Sequence, residues 1–355
     1  MKPIYIIAEA GVNHNGSLDL ACKLIDAAAQ AGADAVKFQT FIATEIASKS
    51  APKAAYQDTF GPAGETQLDM LMKLQLHESQ FQSLFSYCRS RKVDFLSSPF
   101  DLPSVDLLNR LQVSQLKISS GEITNAPLLL KAARTGKKII LSTGMCNLGD
   151  IEKALGILAF GYLNQTTEPS LSAFHNCYAS YEGQQFLQKN VTLLHCTTEY
   201  PAPLAEINLL AMDTLKQSFA LNVGYSDHSQ GIIIPIAAAA KGAVIIEKHF
   251  TLDRNLPGPD HLASLEPSEL KSMVEAIRQV ELALGSPIKT ISPVEIQNRS
   301  VVRKSLVATK QINQGEVFTE DNLGMKRPGT GISPDHYWQT LGQKATRAYA
   351  PDELL

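Results

Sequence analysis

The sequence predicts a (β/α)8 barrel followed by a small second module. From residue 4 to about residue 285 the chain repeats one unit, a short continuous apolar run followed by a segment with helical periodicity. Eight such units over this length match the count and size of a (β/α)8 barrel. The first turn, Gly11-Val-Asn-His-Asn-Gly16, lacks the G-x-G-x-x-G pattern of open dinucleotide-binding sheets. A dinucleotide site is therefore disfavoured.

Each predicted strand is an apolar run, and each predicted helix has an apolar stripe on one face. The eight predicted strands are Ile4–Val12, Ala35–Thr40, Asp94–Pro99, Gln115–Ser120, Lys137–Thr143, Val191–Cys196, Ala220–Asp227 and Ala243–Phe250. Ser17 is the expected N-cap of the first helix and Gly32 its expected end. Pro267 and Ser268 open the last barrel helix.

Two segments do not fit the repeat. Residues 155–191 form a long connection from a helix to a strand, so we expect an extra helix or a subunit contact on the barrel face opposite the usual active site. After Gly285, prolines and polar residues replace the repeat. We predict a barrel domain at 1–285, a linker at 286–298 and a small domain at 299–355, whose core is small enough to need support from another surface.

The composition excludes several function classes. The 355 residues are 44% hydrophobic and 19% charged with a net charge of -3, which does not indicate disorder or a main role in nucleic-acid binding. No membrane span is predicted, because no apolar run approaches about 20 residues, and no signal peptide is predicted, because the first apolar run reaches Glu9 too early. The five cysteines form no C-x-x-C pair and are expected to be reduced. The expected location is cytoplasmic.

Polar side chains follow every predicted strand at its carboxyl end, where (β/α)8 barrels place their chemistry. Two lysines and several hydroxyls share this end and suit a phosphorylated anion better than a neutral sugar alone: Lys37, Lys117, Ser98, Ser120, Ser142 and Ser226. Any one of these serines could instead cap a strand end. The two lysines together favour a binding function.

Two histidines end adjacent strands. His228 and His249 can reach one divalent ion, because neighbouring strands lie about 4.8 Å apart. Closure of the first strand against the eighth brings Glu9 into range as a ligand or as a partner of the ligands. A mixed nitrogen and oxygen set with open positions suits manganese or a similar Lewis acid better than structural zinc. Structural hydrogen bonding is the alternative for either histidine. His14 and His195 are left outside this set.

Several longer motifs carry a family resemblance that covers nearly the whole chain. They are Ile7-Ala-Glu-Ala-Gly-Val-Asn-His-Asn-Gly16, Val36-Lys-Phe-Gln-Thr40, Lys117-Ile-Ser-Ser-Gly-Glu122, Ile140-Leu-Ser-Thr-Gly-Met145, Cys196-Thr-Thr-Glu-Tyr-Pro201, Gly224-Tyr-Ser-Asp-His228, Glu247-Lys-His-Phe-Thr251 and Gly258-Pro-Asp260. In this order they resemble bacterial sialic acid synthases. Lys326-Arg-Pro-Gly329 resembles the antifreeze-like (SAF) domain of the same family.

The resemblance implies a reaction. The family condenses phosphoenolpyruvate with an N-acetylated amino-sugar aldehyde and water, using Mn²⁺ or another divalent ion such as Mg²⁺ or Co²⁺, and releases phosphate and a nine-carbon 2-keto acid. For this chain the expectation is an N-acetylneuraminate synthase that acts on N-acetylmannosamine. The implied form is a homodimer in which the small domain swaps between subunits.

The resemblance also implies residue roles. Glu9 and Glu122 orient groups and move protons, and His228 and His249 bind the metal. The phosphoenolpyruvate ligands are Lys37, Ser98, Lys117, Ser120, Ser142, Thr198 and Ser226, and the sugar ligands are Gln39, Tyr200, Asp260 and Arg327, the last from the partner subunit. Thr198 stands where some relatives have Asn, and Ser98 where some have Thr, which puts these two contacts in doubt more than the reaction.

Other functions remain open at this point. A sister enzyme would condense a 2,4-diacetamido-2,4,6-trideoxymannose to N,N'-diacetyllegionaminate, since the two sugars differ only at carbons 4 and 6. A pyruvate-dependent aldolase and a non-catalytic carbohydrate-binding barrel are further alternatives. The strand-end residues do not distinguish the two sugars.

Overall fold

The computed structural model describes residues 3–54, 64–164 and 166–355. The chain divides into two compact units, Met1–Gly285 and Ser286–Leu355. In the described part of the chain, no helix is both long enough and apolar enough to cross a membrane.

The first unit is a parallel eight-stranded barrel, as predicted. Its strands are β1 (Tyr5–Gly11), β2 (Ala35–Thr40), β3 (Asp94–Pro99), β4 (Gln115–Ile118), β5 (Lys138–Ser142), β6 (Val191–His195), β7 (Asn222–Asp227) and β8 (Ile245–His249). The hydrogen-bonded order is β3-β2-β1-β8-β7-β6-β5-β4, and contact between β3 and β4 completes the circle. The first strand pairs with the last, which places Glu9 beside His249.

Helices surround the strands. They are α1 (Leu18–Ala31), α2 (Ala43–Ile46), α3 (Gln67–Leu74), α4 (Glu78–Arg91), α5 (Leu102–Arg110), α6 (Ala126–Arg134), α7 (Leu148–Tyr162), α8 (Leu171–Ala179), α9 (Tyr181–Asn190), α10 (Ala211–Phe219), α11 (Ile233–Ala240) and α12 (Pro267–Leu284). The predicted signals of α1 are confirmed. The hydroxyl of Ser17 accepts a hydrogen bond from the Leu20 amide, and Gly32 ends the helix with a left-handed φ of 82°.

Side chains alternate between the two sides of each strand. Inside the barrel a small apolar layer fills one level: Ile7, Ala35, Leu96, Ile140, Leu194 and Ile245. Toward the carboxyl ends of the same strands, the inward positions become polar: Glu9 on β1, Lys37 on β2, Ser142 on β5 and Glu247 on β8. The larger core lies between the barrel and its helices. The apolar layer therefore closes the barrel beneath a polar cavity.

The long connection between β5 and β6 contains three helices, α7, α8 and α9, instead of the single helix of a β/α unit. The additional helix α8 packs against α7 and α9. A glycine in α7 makes the close approach possible, because a Cβ at Gly156 would lie 2.9 Å from the carbonyl oxygen of Phe174. The expected extra helix is present, while a subunit contact there stays a prediction.

The second unit begins with α13 (Pro293–Val302), followed by β9 (Ser305–Ala308), β10 (Leu323–Lys326) and α14 (Tyr337–Thr340). β9 and β10 pair antiparallel around a small core that includes Leu306, Phe318 and Tyr349. The sequence interpretation of 286–298 as a linker missed the start of α13. Ser292 and Glu295 form a capping box there, with Pro293 in the first turn.

Candidate active site

A cavity of about 550 Å³ opens at the carboxyl ends of the barrel strands. Most of the sequence-predicted site residues line it: Glu9, Lys37, Gln39, Ser98, Lys117, Ser120, Glu122, Ser142, Thr198, Tyr200, His228, His249 and Asp260. They come from β1 to β5, from β8 and from the segments that follow the strands. The fold thus brings residues from distant parts of the sequence to one place.

Two lysines and two glutamates form a buried charge network at the base of the cavity. The Lys37 ammonium lies 2.8 Å from Oε2 of Glu9 and 3.6 Å from Oε2 of Glu247. The Lys117 ammonium lies 3.3 Å from Oε1 of Glu247. Lys37 also donates to the hydroxyl of Ser98 at 3.2 Å. Glu247 therefore joins the two cations.

The carboxyl groups of this network differ in their affinity for protons. Burial raises the pKa of Glu9 above its ordinary value, against the opposing effect of Lys37. Burial also acts to raise the pKa of Glu247, but Lys117 and Lys37 outweigh it and hold that pKa below its ordinary value. For Lys37, burial lowers the pKa, yet Glu247 and Glu9 prevail and raise it. Glu9 therefore binds a proton more readily than Glu247 does, and Glu247 is the carboxylate that both lysines stabilise.

Hydroxyl groups cover the wall formed by the ends of β4 and β5. Ser120 accepts a hydrogen bond from the Gly144 amide at 2.9 Å and lies 3.2 Å from the sulfur of Cys196. A Cβ at Gly144 would lie 2.3 Å from the Thr198 hydroxyl, so only glycine allows this close approach. The buried hydroxyl of Ser142 has no hydrogen-bond partner among the described residues. Such an unpaired donor suits a bound anionic oxygen.

The two histidines face one another across the ends of β7 and β8, with ring centroids 5.6 Å apart. Nδ1 of His228 donates to the carbonyl oxygen of Thr197 at 2.6 Å, which leaves the lone pair on Nε2, 3.1 Å from the Tyr200 hydroxyl. Nδ1 of His249 has no hydrogen-bond partner among the described residues. Burial lowers the pKa of His228 to about 4 and that of His249 well below its ordinary value, so both rings are neutral near pH 7.

Neutral imidazoles fit a divalent cation, and here the ligand nitrogens would be Nδ1 of His249, which is unpaired among the described residues, and Nε2 of His228, which would exchange its contact with Tyr200 for the metal. The described residues contain no group of three or more His, Cys, Asp or Glu side chains arranged to hold a metal. Asp260 is the nearest acidic neighbour, with Oδ2 at 3.8 Å from Nδ1 of His249. The protein would thus supply two nitrogen ligands and leave the other positions open, as a Lewis-acid site requires.

Three polar groups converge above Gly11. A Cβ built on this glycine would lie 3.3 to 3.5 Å from Oε1 of Glu9, Oδ2 of Asp260 and Nε2 of Gln39. Burial raises the pKa of Asp260 to about 6, although Lys37 opposes the rise. This mixture of donors and acceptors suits sugar hydroxyls.

The opposite side of the cavity is apolar. Phe41 and Phe100 meet edge to face with centroids 6.5 Å apart, beside Ile46 of α2 and Leu71 of α3. Behind them Val12, Met70 and Leu74 complete a small hydrophobic cluster. We call Phe41, Ile46, Leu71 and Phe100 the apolar wall. The sequence analysis did not predict it, because its members come from the long β2–β3 connection and from the residue after β3.

Some predicted residues lie elsewhere. Ser226 is buried behind the cavity lining and donates to Glu247 at 2.8 Å. Arg327 belongs to the second unit, where its Nε donates to the carbonyl oxygen of Val302. Nε2 of His195 lies 2.7 Å from the carbonyl oxygen of Ile207. Glu122, in contrast, does line the cavity, and burial raises its pKa.

The sequence analysis gave Glu247 no role, yet it is the centre of the charge network. Its position two residues before His249 was the available signal, since side chains two apart on a strand share a face.

Comparison with known proteins identifies the family of the chain. Residues 24–289 match the NeuB family and residues 303–355 the SAF domain. The chain is 52% identical to an N,N'-diacetyllegionaminic acid synthase of Campylobacter jejuni over 355 residues, covering 100% of this chain and 99% of the relative. It is 44% identical to an enzyme of the same name from Legionella pneumophila, covering 96% and 90%. The crystal structure of an N-acetylneuraminic acid (sialic acid) synthetase from Leptospira borgpetersenii, in complex with citrate, superimposes with a TM-score of 0.67 at 34% identity, covering 84% of this chain and 90% of that one.

Proposed function

The chain belongs to the NeuB family and is an enzyme of the sialic acid synthase type, and we propose that it is an N,N'-diacetyllegionaminate synthase. It would condense phosphoenolpyruvate with 2,4-diacetamido-2,4,6-trideoxymannose and water, and release phosphate. The observation that carries the proposed reaction is the single cavity in which Lys37 and Lys117 lie close to His228 and His249.

The choice of sugar departs from the first expectation. The family resemblance led us to expect N-acetylmannosamine, but two relatives that match most of the chain are legionaminic acid synthases. The apolar wall supports the same choice. Compared with N-acetylmannosamine, the trideoxy sugar carries a methyl group at carbon 5 in place of a hydroxymethyl group, and an acetamido group in place of the hydroxyl at carbon 4. Both changes add apolar surface that the wall can bury.

The charge network suits the anionic substrate. We assign the phosphate and carboxylate of phosphoenolpyruvate to Lys37 and Lys117, which Glu247 holds in place, and to the hydroxyls of Ser120 and Ser142. Ser98 and Thr198 line the same region. Ser226 would support this anion site indirectly, through its hydrogen bond to Glu247. Fixed cations of this kind place carbon 3 of the enol for attack on the aldehyde.

The aldehyde carbon would lie near the histidines. A divalent ion held by His228 and His249, with Mn²⁺ as the expected species, supplies Lewis acidity toward the carbonyl oxygen. Gln39, Tyr200 and Asp260 would bind the sugar hydroxyls. Glu9 and Glu122, whose pKa values burial raises, are the candidates to transfer protons when carbon 3 attacks and water adds at carbon 2.

The remaining part of the proposal concerns assembly. By family resemblance the enzyme would be a homodimer in which the SAF domain serves the partner's barrel. Arg327 would then bind the N-acyl group of the sugar in the partner subunit.

One assay tests the reaction and the sugar together. Phosphate release from phosphoenolpyruvate is measured with Mn²⁺, with each of the two sugars, and with EDTA as the control. We expect metal-dependent release with a strong preference for the diacetamido sugar. Turnover of N-acetylmannosamine alone would make the protein an N-acetylneuraminate synthase, and turnover of neither sugar would contradict the proposed reaction.

A further inference from the structure

A second charged pair lies directly behind the histidines, outside the cavity. Nζ of Lys248 is 2.5 Å from Oδ2 of Asp227, and both side chains are completely buried. The two residues are register partners at the ends of β8 and β7. Because side chains alternate along a strand, their neighbours Ser226 and Glu247 point into the barrel while this pair points out. Neither member lines the cavity.

The pair is the centre of a hydrogen-bonded cluster. Oδ1 of Asp227 accepts from the Tyr225 hydroxyl at 3.1 Å, from the Ser229 hydroxyl at 2.8 Å and from the Ser229 amide at 3.1 Å. Lys248 also donates to the carbonyl oxygen of Ser229. The cluster therefore holds the residues on both sides of His228 and ties them to the residue that precedes His249.

The two rings differ in their restraints. His228 donates to the carbonyl oxygen of Thr197, its Nε2 lies 3.1 Å from the Tyr200 hydroxyl, and the Tyr200 ring packs against it with centroids 4.1 Å apart. Nδ1 of His249 has no hydrogen-bond partner among the described residues, and the neighbouring groups include Tyr200 at 5.5 Å and His228 at 5.6 Å between ring centroids, and Asp260 at 3.8 Å. With no hydrogen bond at Nδ1, the place of this ring relative to His228 depends on its packing and on the backbone of β8.

Stability alone does not require charges at this location. A buried ion pair can often be replaced by apolar side chains of similar volume at no cost in stability. What a charged, multiply bonded pair adds is a fixed geometry between two strand ends.

We propose that Asp227 and Lys248 are positioning residues that hold the imidazoles of His228 and His249 at the spacing needed to share one divalent cation. The proposal rests on the metal site of the proposed function. It predicts that loss of the pair weakens metal binding in a protein that stays folded.

The test measures Mn²⁺ affinity of the full-length protein, from the electron paramagnetic resonance signal of free Mn²⁺, so no substrate is needed. The main variant is the double substitution Asp227→Asn with Lys248→Met, which removes both charges and leaves no unpaired ion. We expect its Kd for Mn²⁺ to rise about tenfold or more, the size of effect typical for groups that orient metal ligands. The matched control is Asp34→Asn with Arg278→Met. This pair has a 2.7 Å contact and joins α12 to the residue before β2, at the amino ends of the strands. It should change the Kd less than about twofold.

The outcomes separate the possible failures. A folded Asp227→Asn/Lys248→Met protein with wild-type Mn²⁺ affinity would overturn the positioning role. If this variant does not fold, Tyr225→Phe removes one hydrogen bond to Asp227 without unpairing a charge. It should weaken Mn²⁺ binding by about two- to fivefold, about half to one kcal/mol for one hydrogen bond, and an unchanged Kd would then overturn the proposal. His228→Ala and His249→Ala test the metal site itself. If Mn²⁺ binding to the wild type does not depend on these histidines, the metal assignment of the proposed function fails.

Discussion

Leu71 offers a direct test of the apolar wall as the determinant of sugar selectivity. It is half-buried on α3, while Met70 and Leu74 anchor that helix in the hydrophobic cluster. Replacing Leu71 by Asn keeps the volume roughly constant and puts an amide where a methyl group of the diacetamido sugar would pack. The helix should stay in place, because its two buried anchors are unchanged.

The expected size follows from burial of one methyl group. Such a group is worth about 0.8 kcal/mol when it leaves water, and apolar pockets discriminate by about 1–3 kcal/mol per group. We expect the preference for the diacetamido sugar to fall by about 1–2 kcal/mol, or about 5- to 30-fold in the ratio of kcat/KM values. Most of the change should appear as a lower kcat/KM for the diacetamido sugar.

The assay is the initial rate of phosphate release with each sugar at saturating phosphoenolpyruvate and Mn²⁺. Met72→Asn is the matched control, since Met72 is on the same helix but is 61% exposed and does not line the cavity. Ile46→Thr provides an independent change in the wall. An unchanged ratio of kcat/KM in both wall variants would refute the idea that the wall selects the sugar, while leaving the reaction itself untouched.

Three further predictions concern the anion site, acid stability and assembly. Lys117→Met should raise the KM for phosphoenolpyruvate about tenfold or more, because a charge-assisted hydrogen bond contributes about 1.5–3 kcal/mol, and steady-state kinetics that show an equal rise for the sugar would contradict the assignment. Burial lowers the pKa of His14 to about 4. Below about pH 6.5 the imidazole of His14 is therefore protonated in the unfolded chain but stays neutral in the folded chain. The free energy of unfolding falls by up to about 3 kcal/mol as the pH drops to about 4. Urea unfolding across this range should show a smaller loss for His14→Asn, and an identical loss would show that His14 is not the group concerned. Mixing Arg327→Ala with His228→Ala subunits should restore about one quarter of the wild-type activity, since half the dimers are hybrids with one complete site each, and inactive hybrids would argue against domain swapping.

The barrel could be predicted because its signals are local. A buried parallel strand requires a continuous apolar run, and a helix end requires a capping group such as Ser17 or a residue that tolerates a left-handed backbone such as Gly32. The polar strand ends could be predicted too, because all carboxyl ends of a parallel barrel meet at one face. These rules predicted that Lys37, Lys117, His228 and His249 lie at one end of the barrel, and in the structure all four line the same cavity.

The partners of those residues could not be predicted, because they depend on distances across the barrel. Lys117 on β4 and Glu247 on β8 belong to strands half a circle apart in the strand order, yet their charged groups lie 3.3 Å apart. No local pattern specifies this contact, since it is set by barrel width and side-chain length together. The same reason explains why Ser226, predicted to meet the substrate, instead supports Glu247.

The strand-end charges and imidazoles lie in a different part of the fold from the apolar wall. This difference also explains why the sequence indicates the reaction more readily than the sugar. The charges and the imidazoles lie on or directly after strands, where the strand register fixes their backbone positions and where Asp227 and Lys248 add a second restraint. Two members of the apolar wall come from the short helices α2 and α3 of one connection, which the barrel does not constrain in length or register. A substitution at Leu71 or Ile46 can therefore change which sugar fits without moving the groups that bind phosphoenolpyruvate. The Leu71 and Ile46 variants therefore test the choice of sugar separately from the reaction.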